Sequence, residues 1–169
     1  MVDLAYFAAA RGQTTARFVL RGNLAAARLA GTAFGVALPE TINRASVSGA
    51  RAALMLGPDE WLLLASDALP DALEPVLAGT ACVVDVSHRQ IGLEVAGRGV
   101  AAILNAAMPL DLSEAAFPVG MATRTFFEKA DIVLWRTGPQ SFHLEVWRSF
   151  APYVEALLQA FARENAGAA

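Results

Sequence analysis

Apolar residues recur along this chain in short runs at two spacings, one residue in two and one in three or four, and glycine or proline closes almost every run. Arg17 to Arg21, RFVLR, is a strand candidate ended by Gly22-Asn23. Leu24 to Phe34, LAAARLAGTAF, is rich in helix formers and predicts a helix whose last turn Gly31 weakens. Pro39 ends VALP in an extended or turning backbone. The polar stretch 40–49 reads as a loop with at most a short strand. Arg51 to Leu56 and Trp61 to Ala65 are strands joined by Gly57-Pro58-Asp59-Glu60, a tight-turn sequence that makes them an antiparallel hairpin. Residues 67–77 carry Leu69, Leu73, Val76 and Leu77 at helical spacing, with Ser66 or Asp67 as cap and Gly79 as stop.

A second series begins at Ala81. CVVDVS is a strand, 88–90 a polar interruption, and IGLEVAG continues extended to Gly97. A short helix over 99–107 ends near Met108-Pro109, and 110–120 is a loop. Residues 121–127 and 131–136 are strands. After the turn 137–141, FHLEVW alternates as a half-buried strand should. Residues 153–163 predict an amphipathic helix with Val154, Leu157, Leu158 and Phe161 on one side.

The two series echo one another: strand, Gly22, helix and Leu-Pro at 38–39 against strand, Gly97, helix and Met-Pro at 108–109, and GPDEW against GPQSF. The Gly22-to-Gly97 step is 75 residues and the Gly57-to-Gly138 step is 81. About six extra residues therefore fall between helix and hairpin in the second copy, in and after the proline-containing loop. The expected fold is α+β, two pseudo-repeated βαββα-like halves (17–79 and 81–163) packed as one body with mainly antiparallel sheets. Residues 1–16 form an N-terminal extension and 164–169 a fraying tail.

Apolar residues make up 56% of the 169 and charged residues 17%, against roughly 45–50% and 25% in an average domain. Much of the excess is alanine. A net charge of -3 offers no general attraction for nucleic acid or anionic membrane. No apolar run approaches the 18 or more residues of a membrane span. Met1-Val2-Asp3 does not begin a signal peptide, so a cytoplasmic address is expected. Cys82 alone makes no internal disulfide and reads as a buried thiol in ACVVDV. Arginine outnumbers lysine twelve to one, which suits interfacial contacts or reflects genomic bias.

Candidate chemistry is sparse. The glycine-rich nucleotide loops, HExxH, CxxC and GxSxG are all missing, and His88, His143 and Cys82 have no metal-ligand spacing. No catalytic, cofactor-binding or metal residue is assigned. In DVSHRQIG, Asp85, Ser87 and Arg89 share one strand face and His88 the other, a local polar network or the rim of a partner contact. Asp59 and Glu60 are adjacent, so in extended backbone their carboxylates point apart, and a turn role is expected rather than acid-base chemistry. Gly57, Pro58, Asp59, Glu60, Trp61, Gly138 and Pro139 are thus turn and fold-supporting residues. Arg148, between Trp147 and Phe150 in VWRSF, is a candidate interfacial anchor, with Ser149 a possible cap. Trp61, Trp135, Phe126, Phe127 and Phe142 are expected in the core.

The blocks DVSHRQIGLEVAGRGVAAILNAAMPLDL, AFPVGMATRTFFEKADIVLWR and FHLEVWRSFAPYVEALL, with LGPDEWLLLAS in the first half, resemble the gamma subunit of heterotetrameric sarcosine oxidase. The likeness spans 17–163 and extends distantly to the folate-binding domain of aminomethyltransferases such as the glycine-cleavage T-protein. It implies a single T-protein-like domain over 17–163 and a noncatalytic accessory role. The family's complex oxidatively demethylates sarcosine to glycine, forming 5,10-methylenetetrahydrofolate and hydrogen peroxide. FAD, FMN, NAD and tetrahydrofolate belong to the larger subunits, and none is expected in this chain. The implied partners are the alpha subunit directly, with beta and delta in the complex. His88, Arg89, Arg124, Trp147, Arg148 and Phe150 are the implied interface. The alternative is a small folate-binding or aminomethyl-transfer module acting alone.

Overall fold

The computed structural model describes residues 8–14, 16–67 and 73–166. Its strands and helices alternate as an α+β chain that divides into two units, one from Gln13 to Arg89 and one joining the segment up to Gly12 with Gln90 onward.

The Gln13–Arg89 unit holds β2 (Ala16–Gly22), α1 (Leu24–Phe34), β3 (Arg44–Ser48), β4 (Arg51–Gly57), β5 (Glu60–Ala65), α2 (Leu73–Leu77) and β6 (Ala81–Asp85). Its sheet runs β3-β4-β5-β2-β6, all antiparallel. The stretch read as a polar loop does contain the short strand β3, at the sheet edge. Asn23 caps α1 by accepting from the Ala26 N–H, and Gly35, at φ 80°, closes it. Helix α1 packs Ala27, Ala30 and Phe34 into a core with Leu20, Met55, Trp61 and Leu63. The helix continues through Gly31 to Phe34. That glycine lets the returning chain lie against it, since a Cβ there would meet the Val36 carbonyl oxygen at 2.8 Å. The expected helix over 67–77 is seen from Leu73, and its first part falls outside the described residues.

The other unit holds β1 (Ala8–Arg11), β7 (Gln90–Ala96), α3 (Val100–Asn105), β8 (Ala122–Phe127), β9 (Ala130–Gly138), β10 (Ser141–Trp147) and α4 (Ala151–Ala166). Its antiparallel sheet runs β1-β7-β10-β9-β8. One face of this sheet, with Leu93, Val95, Leu134, Phe142 and Leu144, forms a core with α3 and α4. Helix α4 starts at Ala151, so Phe150 rather than Ser149 precedes it, and it runs into the expected tail as far as Ala166. Residues 167–169 of that tail lie outside the described residues.

Matching β2, β3, β4 and β5 with β7, β8, β9 and β10 makes the two sheets identical in strand order. Each half runs βαβββα, one strand more than βαββα. The fifth strands are exchanged: β1, which precedes the first half, pairs with β7, and β6, which precedes the second, pairs with β2. The extension read over 1–16 thus contributes a strand, tied also by Arg11, whose Nε donates to Glu155 at 2.9 Å.

Two further expectations are corrected. Cys82 is exposed, because β6 is an edge strand that turns Ala81 and Val83 to the core and Cys82 and Val84 away. Phe126 is 52% exposed and Trp135 only partly buried, while Trp61, Phe127 and Phe142 are fully buried. The sheet has two faces, and Phe126 and Trp135 stand on the side away from α3 and α4.

Candidate functional site

The alternation of β10 decides what this second face carries. Phe142, Leu144 and Val146 go to the helical core, so His143, Glu145 and Trp147 emerge opposite. On the neighbouring strands, His143 is opposite Glu94 on β7 and Trp135 on β9, and Trp147 is opposite Gln90.

At one end of this face, Arg124 and Phe126 of β8 and Trp147 of β10 border a cleft of about 310 Å³ that Gln90, Thr125, Asp131 and two aliphatic side chains also line. Trp147 is 44% exposed. The chain then turns, the Phe150 N–H donating to the Trp147 carbonyl at 2.8 Å, and exposes Arg148, Phe150 and, in α4, Tyr153. Four sequence-predicted interface residues, Arg124, Trp147, Arg148 and Phe150, therefore belong to one unit, and two of them share a cleft. Four exposed aromatics on one unit, Phe126, Trp147, Phe150 and Tyr153, are of the residue class enriched where proteins bind proteins.

His88 and Arg89 lie in the other unit, in the turn that follows β6, where the Arg89 N–H donates to the Val86 carbonyl at 2.9 Å. The expected strand through Ser87 is replaced by this turn. Asp85 accepts from the Ser87 N–H at 2.8 Å, and Ser87 Oγ accepts from the Arg17 N–H at 2.9 Å. These bonds from Ser87 hold the Asp85 carboxyl below its usual range. The arrangement is the local polar network, built to fasten a turn.

At the centre of the face, His143 Nδ1 lies 2.5 Å from Glu94 Oε1 and Nε2 lies 2.7 Å from Glu145 Oε1. His143 is 2% exposed and Glu145 is fully buried. Burial pushes the imidazole down, but hydrogen bonds and charge from Glu145 and Glu94 outweigh it and raise the pKa to about 9. His143 is thus an imidazolium between two carboxylates, with Trp135 at 5.9 Å between ring centroids. Sequence reasoning missed this cluster. The parity of FHLEVW puts His143 and Glu145 together, but Glu94 joins them only through the β7–β10 register.

The hairpin residues take structural roles. Gly57 pairs with Glu60 and Gly138 with Ser141, leaving the two-residue loops Pro58-Asp59 and Pro139-Gln140. Both acids of the first turn converge on Arg21 of β2: its Nη1 lies 3.3 Å from Asp59 Oδ1, and Nη2 pairs with the buried Glu60. Trp61 donates from Nε1 to the Pro39 carbonyl at 2.8 Å. In the second copy Arg136 does the fastening. Its guanidinium donates to the carbonyls of Leu112, Phe117, Gly138 and Pro139 at 2.6–3.2 Å, and it sits 5.1 Å over the Phe142 ring. Among the described residues no cluster of three or more His, Cys, Asp or Glu side chains fits a metal ion. No described helix is long and apolar enough to cross a membrane.

Comparison with known proteins gives the family and the fold. The profile of the sarcosine oxidase, gamma subunit family matches residues 21–164. The chain belongs to that family. It is 35% identical over 126 residues, 72% of its length, to sarcosine oxidase subunit gamma of Corynebacterium sp. (strain P-1). It is 36% identical over a matching span to the same subunit of Corynebacterium sp. (strain U-96). It spans 62% and 61% of those two relatives. In structure it is similar to a chain of the heterotetrameric sarcosine oxidase from Corynebacterium sp. U-96, solved with pyrrole 2-carboxylate. The TM-score is 0.81 at 29% identity, over 93% of this chain and 84% of that one. The glycine cleavage system aminomethyltransferase T from Bartonella henselae shares the fold, with TM-score 0.68 at 16% identity over 91% of this chain and 45% of that one. The gamma-type chain therefore carries an aminomethyltransferase-like α+β fold.

Proposed function

We propose that this chain is the noncatalytic structural gamma subunit of a heterotetrameric sarcosine oxidase. That complex would oxidatively demethylate sarcosine to glycine and form 5,10-methylenetetrahydrofolate and hydrogen peroxide. In this reading the chain works in the cytoplasm and packs against the large alpha subunit, with beta and delta completing the assembly, and FAD, FMN, NAD and tetrahydrofolate reside on the larger subunits. The observation that carries the reading is the match, over nearly the whole chain, to a chain of a heterotetrameric sarcosine oxidase.

Local chemistry supports it. One unit presents Phe126, Trp147, Phe150 and Tyr153 with Arg124 and Arg148, a composition suited to a protein partner. The described clefts, about 310 and 350 Å³, stand at the lower bound of the roughly 300–1,000 Å³ typical of small-molecule sites. His143, whose pKa is raised to about 9, is held between Glu94 and Glu145 and so is engaged in holding strands together.

Purification of the chain alone and of the coexpressed complex tests the reading. The chain alone should be colourless and inert toward sarcosine with or without tetrahydrofolate, whereas the complex should show flavin absorption and turnover. Retained flavin or demethylation by the lone chain would contradict it.

A further inference from the structure

Gln90 begins β7 and is 7% exposed, yet its side-chain oxygen has no hydrogen-bond partner. A buried acceptor left without a donor is destabilising, and native proteins leave few of them. This acceptor belongs to a residue lining the cleft of about 310 Å³ described above, whose walls include the half-exposed rings of Phe126 and Trp147. Resting on the subunit reading, we propose that the cleft seats one neutral apolar side chain of the larger partner subunit. An N–H or O–H of that same partner segment donates to Gln90 Oε1, which is covered in the chain alone and is presented when the amide turns toward the cleft.

The lining selects the occupant. Arg124 and Asp131 contribute one charge of each sign, so an anionic group drawn to Arg124 meets Asp131 and a cationic one meets Arg124. Charge thus favours a neutral occupant, and the aromatic and aliphatic walls favour an apolar one. The carbonyl-type oxygen of Gln90 accepts and cannot donate, which requires a donor beside that apolar body. The volume is small for a dinucleotide and suits one large side chain with its backbone. Access fits as well. Among the described residues β8 pairs with β9 alone, so it is the outer strand of its sheet.

The test uses the full chain and the coexpressed complex with Gln90→Leu and Phe126→Ala. Dissociation of the complex is followed by native mass spectrometry across a dilution series, and each chain alone is melted. Gln90→Leu should melt at or above the wild-type temperature, because the orphan acceptor is gone. Both variant complexes should fall apart at concentrations at least about tenfold higher than wild type. Dissociation within twofold of wild type for both variants would overturn the cleft assignment and leave water as the donor to Gln90. A drop in melting temperature for Gln90→Leu matching its loss of assembly would also overturn it, by making the amide structural. If the wild-type chain fails to copurify with larger subunits, the subunit reading fails and the proposal goes with it.

Discussion

His143 Nε2 lies 2.7 Å from Glu145 Oε1, two residues further along β10, and both side chains are buried beneath the second face of the sheet. Adjacent positions of one parity on a central strand have been used for a charged pair where a hydrophobic pair would satisfy the pleat equally well. The pair is completed by Glu94 of β7, so β7 and β10 are joined by a charged clamp as well as by their backbone ladder.

That clamp makes stability depend on pH. The folded pKa of His143, about 9, stands above the unfolded value near 6.5, so its contribution is complete below pH 6.5 and is lost as pH rises toward 9. The loss is on the order of 3 kcal/mol. Urea midpoints at pH 6, 7.5 and 9 should fall in that order, and His143→Gln should flatten the trend. A wild-type midpoint independent of pH would show that folding leaves the imidazole's pKa unshifted, and one that rises from pH 6 to 7.5 would show that the imidazole is neutral in the fold.

Arg136 should resist even conservative replacement. Its fork serves four carbonyls at once, and a lysine ammonium offers three donors without the planar geometry. Arg136→Lys should destabilise the chain by about 2 kcal/mol or more, since buried acceptors are left unpaired. Denaturant unfolding of the two proteins measures this, and equal midpoints would show that the carbonyls find other donors.

Gly31→Ala should reverse the usual helix rule. Alanine in place of glycine inside a helix normally stabilises by about 1 kcal/mol. Here the added methyl meets backbone, the Val36 oxygen at 2.8 Å and the Leu38 nitrogen at 3.2 Å. The expected result is a loss of about 1–3 kcal/mol, read from the melting temperature. A stabilised variant would mean that the 36–38 segment moves away freely.

Arg148→Ala should weaken assembly while leaving the chain folded, because Arg148 is exposed between Trp147 and Phe150, away from both cores. Loss of an interfacial arginine of this kind costs about 1–2 kcal/mol or more, a tenfold or greater change in affinity. Coexpression and pull-down should recover less partner, with an unchanged melting curve for the chain. Unchanged recovery would place Arg148 outside the interface.

Local pattern carried most of the fold. Helix α1 was readable from the helix formers of Leu24 to Phe34, and the hairpins from GPDEW and GPQSF. What stayed hidden needed register. Alternation alone gave Phe126 and Phe127 equal claims on the core, and the pairing of β8 with β9 decides between them. The same holds for Asp59 and Glu60. Alternation sets their carboxylates apart, yet Arg21 reaches both across the β2–β5 pairing. The exchange of β1 and β6 was hidden for a related reason, since nothing in AAAR or ACVVD states which of two similar sheets each will join.

The most direct test of the central claim is native mass spectrometry of whatever a tag on this chain retrieves from its own cells. The account predicts one assembly of four different chains that contains a single copy of this one, absorbs as a flavoprotein and oxidises sarcosine. Recovery of the chain alone, or only with copies of itself, would contradict it.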